Sequence, residues 1–140
     1  MKFISSSYDK ENGVSTVVMQ HFGKKFIGTA KVHPEEADYA SELTGCEYAE
    51  IRATIAALKY ERKLAKIKSD NAIDFVKSCC CYTDFDPDDS SAKILKRQLT
   101  KRVQRVNDLT DEINELMELL QKKIEMRKKF LEKRNKKDNS

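Results

Sequence analysis

The sequence predicts an α+β fold in which a small three-stranded antiparallel sheet is followed by two long helices forming an antiparallel helical hairpin. Of the 140 residues, 36% are charged, whereas only four are Gly and two are Pro. This composition favours long helices and excludes a many-stranded sandwich or barrel. The strand pattern is confined to residues 1–33. We therefore expect a single domain with a β-meander head (residues 1–45), a helical hairpin (46–137) and a disordered tail (138–140).

The head is predicted from two turns and one alternating segment. Asn12-Gly13 precedes the β-branched run of residues 14–21 and supplies the positive φ of a hairpin, so the first strand is residues 2–8. Phe22-Gly23-Lys24 predicts the second turn. The third strand places four residues on one face: Phe26, Gly28, Ala30 and Val32. The small side chains on that face predict a helix that packs closely against it.

The first long helix is predicted from apolar periodicity. Pro34 begins a short helix in an acidic segment, and Gly45 interrupts it. From Cys46, apolar residues recur at spacings of three and four with no Gly or Pro before residue 82, so we expect one helix of about 30 to 35 residues. Its apolar stripe continues through Leu64, Ile67, Ala72, Phe75 and Val76. Pro87 prevents its continuation.

The second long helix begins after a cap at Ser90 or Ser91 and continues to about residue 136. It carries an apolar stripe at spacings of three and four residues: Leu95, Leu99, Val103, Val106, Leu109, Ile113, Leu116, Leu120 and Ile124. At 1.5 Å per residue, about 40 residues form a rod of about 60 Å, which overhangs a three-stranded sheet. We therefore expect the stripe to pack on the first helix and on another subunit, in an oligomer.

The same helix carries a basic stripe, which consists of Lys93, Arg97, Lys101 and Arg105. No acid lies between its ends, and like charges at four-residue spacing repel each other, so the stripe needs an anion. Two interpretations stay open. The stripe is a solvated face partly paired with acids, or it is a phosphate site, because guanidinium groups match phosphate oxygens. Tyr82 and Phe85, in the loop before the helix, would then stack on a base.

Metal binding is not expected. The acidic segment 84–88 resembles the start of a calcium loop, but the required Gly and Glu are replaced by Asp89 and Leu95. The three adjacent cysteines at 79–81 cannot all reach one ion, and we expect them and Cys46 to be free thiols in a reducing cytoplasm. Arg52 is expected to have a structural role, with a buried carboxylate such as that of Glu42 as its partner, in preference to a ligand contact.

The C-terminal segment 122–137 has nine Lys or Arg against two Glu, a local net charge of +7, whereas the whole chain has +4. We favour a solvated, fraying helix end over a nucleic-acid or membrane site, because cations there offset the helix dipole. No stretch approaches the roughly 18 apolar residues of a membrane span. The sequence contains no nucleophile elbow, metalloprotease motif or Gly-rich phosphate loop. It therefore predicts a binding protein without cofactor or enzymatic activity, or a structural coiled-coil protein.

The run F-I-G-T-A-K-V-H-P of residues 26–34, followed by Glu42, Gly45 and A-E-I-R-A at 49–53, resembles small phage and prophage proteins. The resemblance is to the anti-Thoeris sponge family that was described first, which shares the β-head, the two long helices and the length. It implies a protein in the bacterial host cytoplasm that sequesters cyclic ADP-ribose isomers (glycocyclic ADP-ribose) made by TIR-domain defence proteins, without cleaving them.

The resemblance also implies a homo-oligomer, a dimer or a hexamer. Some members of that family hold cyclic oligonucleotides at separate sites, and neither DNA nor a membrane is an expected partner. In the family the adenine stacks on an aromatic side chain and the pyrophosphate meets arginines of the helical region. The matching residue types here are Tyr82 or Phe85 for the base, and Arg97, Lys101 and Arg105 for the phosphates, with Lys93 completing the basic stripe.

Overall fold

A computed structural model describes residues 1–31, 42–82 and 90–138. The head is an antiparallel sheet in the order β1 (Lys2–Asp9), β2 (Val14–His21) and β3 (Lys24–Lys31). Two long helices follow, α1 (Glu42–Tyr82) and α2 (Ser90–Asp138). The three-stranded antiparallel sheet followed by two long helices, which the sequence predicts, is confirmed.

Both predicted turns are present. Gly13 has φ 64°, and the carboxylate of Asp9 accepts hydrogen bonds from Asn12 Nδ2 (2.8 Å) and Glu11 N (3.0 Å), which lower the pKa of that carboxyl. Phe22 and Gly23, with φ 51° and 72°, form a two-residue connection between β2 and β3. Positive φ at both positions is the geometry of a type I′ turn, which matches the twist of the two strands.

One face of the sheet is buried. In β3 the residues Phe26, Gly28 and Ala30 are buried, and the residues between them are exposed, as the alternation predicts. Val32 lies outside the described residues. In β2, Val17 and Met19 are buried on the same side, opposite Gly28 and Phe26 in the register. This face forms the core of the head.

Helix α1 covers the buried face at very short range. Ala49 and Ala53 are completely buried and belong to the same core as Val17, Met19 and Ala30. A Cβ atom added to Gly28 would collide with Ala49 O and would lie 2.5 Å from Ala53 N. The predicted close packing of a helix at Gly28 and Ala30 is therefore confirmed, and only glycine permits it at position 28.

The predicted interruption at Gly45 is wrong. Helix α1 is 41 residues long and includes Gly45 in its first turn. A Cβ atom on Gly45 would collide with Ser15 Oγ and lie 3.2 Å from Ser15 Cβ, and Ser15 is completely buried in β2. This glycine therefore permits contact between helix and sheet and does not end the helix. The short helix predicted near Pro34 lies outside the described residues.

Two compact units are present, and both helices contribute to each. The first contains Met1–Leu58 and Ile113–Ser140, and the second contains Lys59–Glu112. In the first unit, Tyr48 Oη donates a hydrogen bond to Lys123 O at 3.2 Å, and Lys123 forms an ion pair with Glu47.

In the second unit, Arg105 pairs with Glu61, and Arg102 lies against the carbonyl of Lys68. The later residue of α1, Lys68, contacts the earlier residue of α2, Arg102. The two helices are therefore antiparallel in this unit, as predicted.

Most residues of the apolar stripe of α2 are buried or half-buried. Leu109 and Ile113 are at most 1% exposed, and five further stripe residues are half-buried: Leu95, Leu99, Val106, Leu116 and Leu120. Val103 and Ile124 are more open, at 40% and 37% exposure. No helix in the described part of the chain is long and apolar enough to cross a membrane.

Candidate functional site

The candidate site is a groove between α1 and α2 in the second unit. Its volume is about 260 Å³. We call it the α1/α2 groove, and seven residues line it: Asn71, Ala72, Phe75, Leu95, Gln98, Leu99 and Arg102. Three come from about one turn of α1 and four from two turns of α2, so helical spacing of three and four residues positions all of them. The lining combines an apolar floor with a few polar groups, which is typical of sites for small ligands.

The groove is lined by apolar side chains and by one aromatic side chain that is exposed to solvent. Ala72, Leu95 and Leu99 are half-buried. Phe75 is 58% exposed, although its position in the apolar stripe of the first helix predicts burial. The residues that α2 contributes to the same groove include the polar side chains of Gln98 and Arg102. An open phenyl ring beside a groove offers a stacking surface for a planar heterocycle.

The polar groups of the groove are a guanidinium and two carboxamides. Arg102 Nη1 lies 3.5 Å from Lys68 O, a long contact that directs the side chain towards α1. Since a guanidinium has five N–H donors, most of them remain available to a ligand. Asn71 and Gln98 are exposed, and each carboxamide offers a donor and an acceptor. The groove can therefore hold a planar base with an anionic substituent.

Most of the basic stripe is exposed to solvent. Lys93, Arg97 and Lys101 have no hydrogen bond or ion pair to any residue of the described part of the chain. At 100° per residue, Lys101 lies about 100° around α2 from Arg102, Arg97 about 140° and Lys93 about 180°. The structure therefore places Lys101 closest of these three to the groove, and Lys93 on the opposite side of the helix.

The fourth member of the stripe has an acidic partner in the same chain. Arg105 Nη2 lies 2.5 Å from Glu61 Oε1, and this hydrogen bond raises the pKa of the Arg105 guanidinium. The Arg105 side chain is 51% exposed and that of Glu61 only 12%. Arg105 therefore anchors α2 to α1 and keeps donors at the surface, about 60° around the helix from Arg102.

The predicted stacking residues are not in the described groove. Tyr82 is the last residue of α1 and thus lies in a helix, whereas the sequence placed it in a loop. Phe85 lies outside the described residues. Sequence reasoning did not place Asn71, Phe75, Gln98 or Arg102 in the site. The sequence did show Phe75 as an aromatic residue in a helix predicted to pack against a basic helix. It did not show which residues of α2 lie beside Phe75.

Three other predictions concern residues outside the groove. Arg52 has a structural role, because its Nη1 donates a hydrogen bond to Thr29 O at 2.7 Å. This partner is a carbonyl of an edge strand, and the side chain of Glu42, the predicted carboxylate partner, lies outside the description. Cys46 is a free, half-buried thiol. Among the described residues, no group of His, Cys, Asp or Glu could hold a metal ion, and the acidic segment 84–88 and the side chains of Cys79, Cys80 and Cys81 lie outside the description.

No protein-family model, curated protein or solved structure matches this chain. The interpretation of the site therefore depends on the chemistry of the groove and the basic stripe, and the family resemblance stays a prediction.

Proposed function

We propose that the protein binds a small phosphorylated nucleotide in the α1/α2 groove and holds it without cleaving it. The ligand class is the cyclic ADP-ribose isomers, and the biological role is that of a phage sponge that inhibits Thoeris-type defence in the bacterial cytoplasm. Cyclic oligonucleotides are a second ligand class. The observation that carries the proposal is the exposed Phe75 ring in one groove with the Arg102 guanidinium, beside the cation of Lys101, which has no partner in the described part of the chain.

The chemistry of the lining supports binding and not turnover. The ring of Phe75 stacks on the base, Asn71 and Gln98 bond its polar edge, and Arg102 meets a phosphate. None of the described lining residues has a carboxylate, imidazole or thiol that would act as a general base or nucleophile.

The energies indicate that one groove does not complete the site. A stacked base contributes about 1–3 kcal/mol, and a hydrogen bond to a charged group about 1.5–3 kcal/mol. One stack with two such bonds gives about 4–9 kcal/mol, below the roughly 12 kcal/mol of nanomolar affinity, before association costs are counted. Tight capture therefore needs further cations, from the basic stripe or from a second subunit, and we propose a homo-oligomer.

A capture-and-release assay tests the function. The protein is incubated with the cyclic ADP-ribose isomer made by a TIR-domain protein, free ligand is removed by filtration, and the protein is heat-denatured. Recovery of intact ligand in the supernatant supports the proposal. A chemically altered product would show an enzyme instead. Absence of capture would favour the alternative, a structural or adaptor coiled-coil protein of a phage.

Matched variants test the site. Phe75→Ala should reduce capture at least about fivefold, since a stack contributes about 1–3 kcal/mol. Arg102→Glu should reduce it at least about tenfold, since a charged hydrogen bond contributes about 1.5–3 kcal/mol. Arg97→Glu tests the basic stripe in the same assay, because Arg97 has no partner in the described part of the chain, whereas Arg105→Glu would also break the ion pair with Glu61. Lys66→Glu is the control, because this exposed lysine lies on the side of α1 that faces away from the groove. Equal capture by Arg102→Glu and the control would contradict the assignment.

A further inference from the structure

The last turns of α2 carry an aromatic ring within a group of cations. α2 remains helical to Asp138, and Leu131 is only 8% exposed, so this part of the helix is packed on one side. Phe130, the preceding residue, is 49% exposed. It lines a hollow of about 560 Å³ together with four cationic residues: Lys133, Arg134, Lys136 and Lys137. We call this surface the Phe130 hollow, and its volume is typical of a ligand site.

The helix dipole explains only part of this positive charge. Cations offset the dipole within the last turn, which contains Lys136 and Lys137. Lys133 and Arg134 lie before that turn, so the dipole does not account for them. Lys133 and Lys136 have no hydrogen bond or ion pair to any residue that the structure describes. These two cations can therefore pair with an anion from outside the chain.

Acidic side chains lie on the other side of this part of α2. The two acids of segment 122–137, Glu125 and Glu132, lie about 140° and 160° around the helix from Phe130. The described lining of the Phe130 hollow contains no acidic residue. The guanidinium of Arg127 lies over the Phe130 ring, 5.4 Å from its centroid. A cation over one face of a ring leaves the opposite face for a second stacking partner.

We propose that the Phe130 hollow binds single-stranded nucleic acid, with one base stacked on the ring and the backbone phosphates paired with the cations. An aromatic side chain within a basic surface is typical of proteins that bind single strands. A double strand fits less well, because its bases stack on each other and offer no free face to the ring. Neither contact reads the edge of a base, so binding should tolerate changes of sequence.

The distribution of charge favours a flexible polyanion over an anionic lipid surface. A helix that lies on a membrane keeps its cations on one side and a broad apolar face on the other. Around α2, Lys133 lies about 60°, Lys129 about 100° and Lys128 about 160° from Phe130. Cations therefore continue from the ring to the opposite side of the helix, and no broad apolar face is left. A single strand can bend to follow such a surface.

This inference is independent of the proposed function. The Phe130 hollow shares no described residue with the α1/α2 groove. It also needs no second subunit, because all of its described residues belong to one helix of one chain. Phe75→Ala should therefore bind nucleic acid as the wild type does, and loss of the Phe130 ring should leave the capture of cyclic ADP-ribose isomers unchanged. The two proposals can thus fail separately.

Fluorescence anisotropy of a labelled oligothymidylate tests the site, with a hairpin duplex of equal length for comparison. For the wild type, the logarithm of the affinity should fall with the logarithm of salt concentration with a slope of about −2.8, the value for four phosphate contacts at about −0.7 each. Lys133→Gln should reduce the size of this slope by about 0.7. Lys128→Gln is the matched control, because it removes the same charge from the opposite side of the helix.

Substitution of Phe130 tests the stacked base. Phe130→Leu keeps an apolar side chain but removes the ring, and it should weaken the binding of the single strand about fivefold or more. Phe130→Tyr retains a ring and should bind the single strand as the wild type does. Neither variant should change the affinity for the duplex. Circular dichroism shows whether each variant retains its helices.

Three results would overturn the proposal: a wild type that does not bind the single strand, equal losses from Lys133→Gln and Lys128→Gln, or a Phe130→Leu variant with unchanged affinity. The second result would show an effect of net charge alone. Vesicles of phosphatidylcholine and phosphatidylserine provide the last comparison. A wild type that co-sediments with them and does not bind the oligonucleotide would assign the Phe130 hollow to a lipid surface.

Discussion

At the scale of single residues, two glycines allow α1 to lie directly on the sheet. Gly28 faces the backbone of Ala49 and Ala53, and Gly45 faces Ser15. Backbone-to-backbone contact of this kind leaves no volume for a methyl group. A third glycine, Gly23, has open space around its Cα but a φ of 72°, so its role is conformational. The same residue type therefore serves two different physical purposes in one small head.

This difference predicts unequal effects of two Gly→Ala substitutions. Gly28→Ala should lower the free energy of unfolding by about 3 kcal/mol or more, because overpacking against backbone atoms cannot relax by rotation of a side chain. Gly23→Ala should cost only about 1–2 kcal/mol, the penalty of a left-handed conformation. Urea denaturation measures both. Equal losses would contradict the close approach of α1 to β3.

At the scale of secondary-structure elements, α2 combines a buried stripe with exposed apolar residues. Leu109 is completely buried, whereas Ile94, four turns away along the helix, is 54% exposed. Burial, not residue type, therefore separates the structural from the surface positions of this helix. The high content of apolar residues in α2 is explained in part by the contact with α1.

Substitution of Leu109 and of Ile94 by alanine distinguishes the buried position from the surface position. Leu109→Ala should lower the free energy of unfolding by about 2–5 kcal/mol, because it leaves a cavity among packed side chains. Ile94→Ala should change it by less than about 0.5 kcal/mol. The two midpoints of thermal unfolding, measured at one protein concentration, provide the comparison. A large loss from Ile94→Ala would show that this side chain is covered by another subunit.

At the scale of the whole molecule, the cations of the basic stripe that have no partner among the described residues predict a salt dependence of capture. A phosphate gains about 0.4 kcal/mol from a cation about 10 Å away in water and about 0.2 kcal/mol from one about 20 Å away. Lys101, which lies closest to the groove, and the more distant Arg97 and Lys93 therefore contribute about 0.8 kcal/mol together. Salt at about 1 M reduces the screening length to about 3 Å and removes this attraction. We expect roughly fourfold weaker capture at about 1 M than at about 0.01 M salt.

Titration calorimetry at several salt concentrations measures this dependence. Arg97→Gln removes one exposed cation without introducing an acid, and it should reduce the slope of affinity against salt. Phe75→Ala should weaken binding at every salt concentration and leave the slope unchanged, because stacking does not depend on ionic strength. A wild-type affinity that is independent of salt would show that the basic stripe does not act on the ligand.

The order of residues was enough to predict the elements of this protein. Alternation with period two identified the buried face of β3, and spacings of three and four identified both helices, because these patterns depend on neighbours in the chain. The basic stripe was visible for the same reason. Even the close approach at Gly28 was predictable, since small side chains on a buried sheet face leave room for a helix.

Contacts between residues that are distant in the chain could be identified only from the tertiary structure. Local rules predict that Gly45 ends a helix. In the structure Gly45 lies within α1 and packs against Ser15, which is thirty residues earlier in the chain. Phe75 and Arg102 line one groove because of the register between α1 and α2. That register depends on how two apolar stripes interlock, and neither stripe alone contains it. A helix sequence thus specifies its faces, and the partner helix determines which residues those faces bring together.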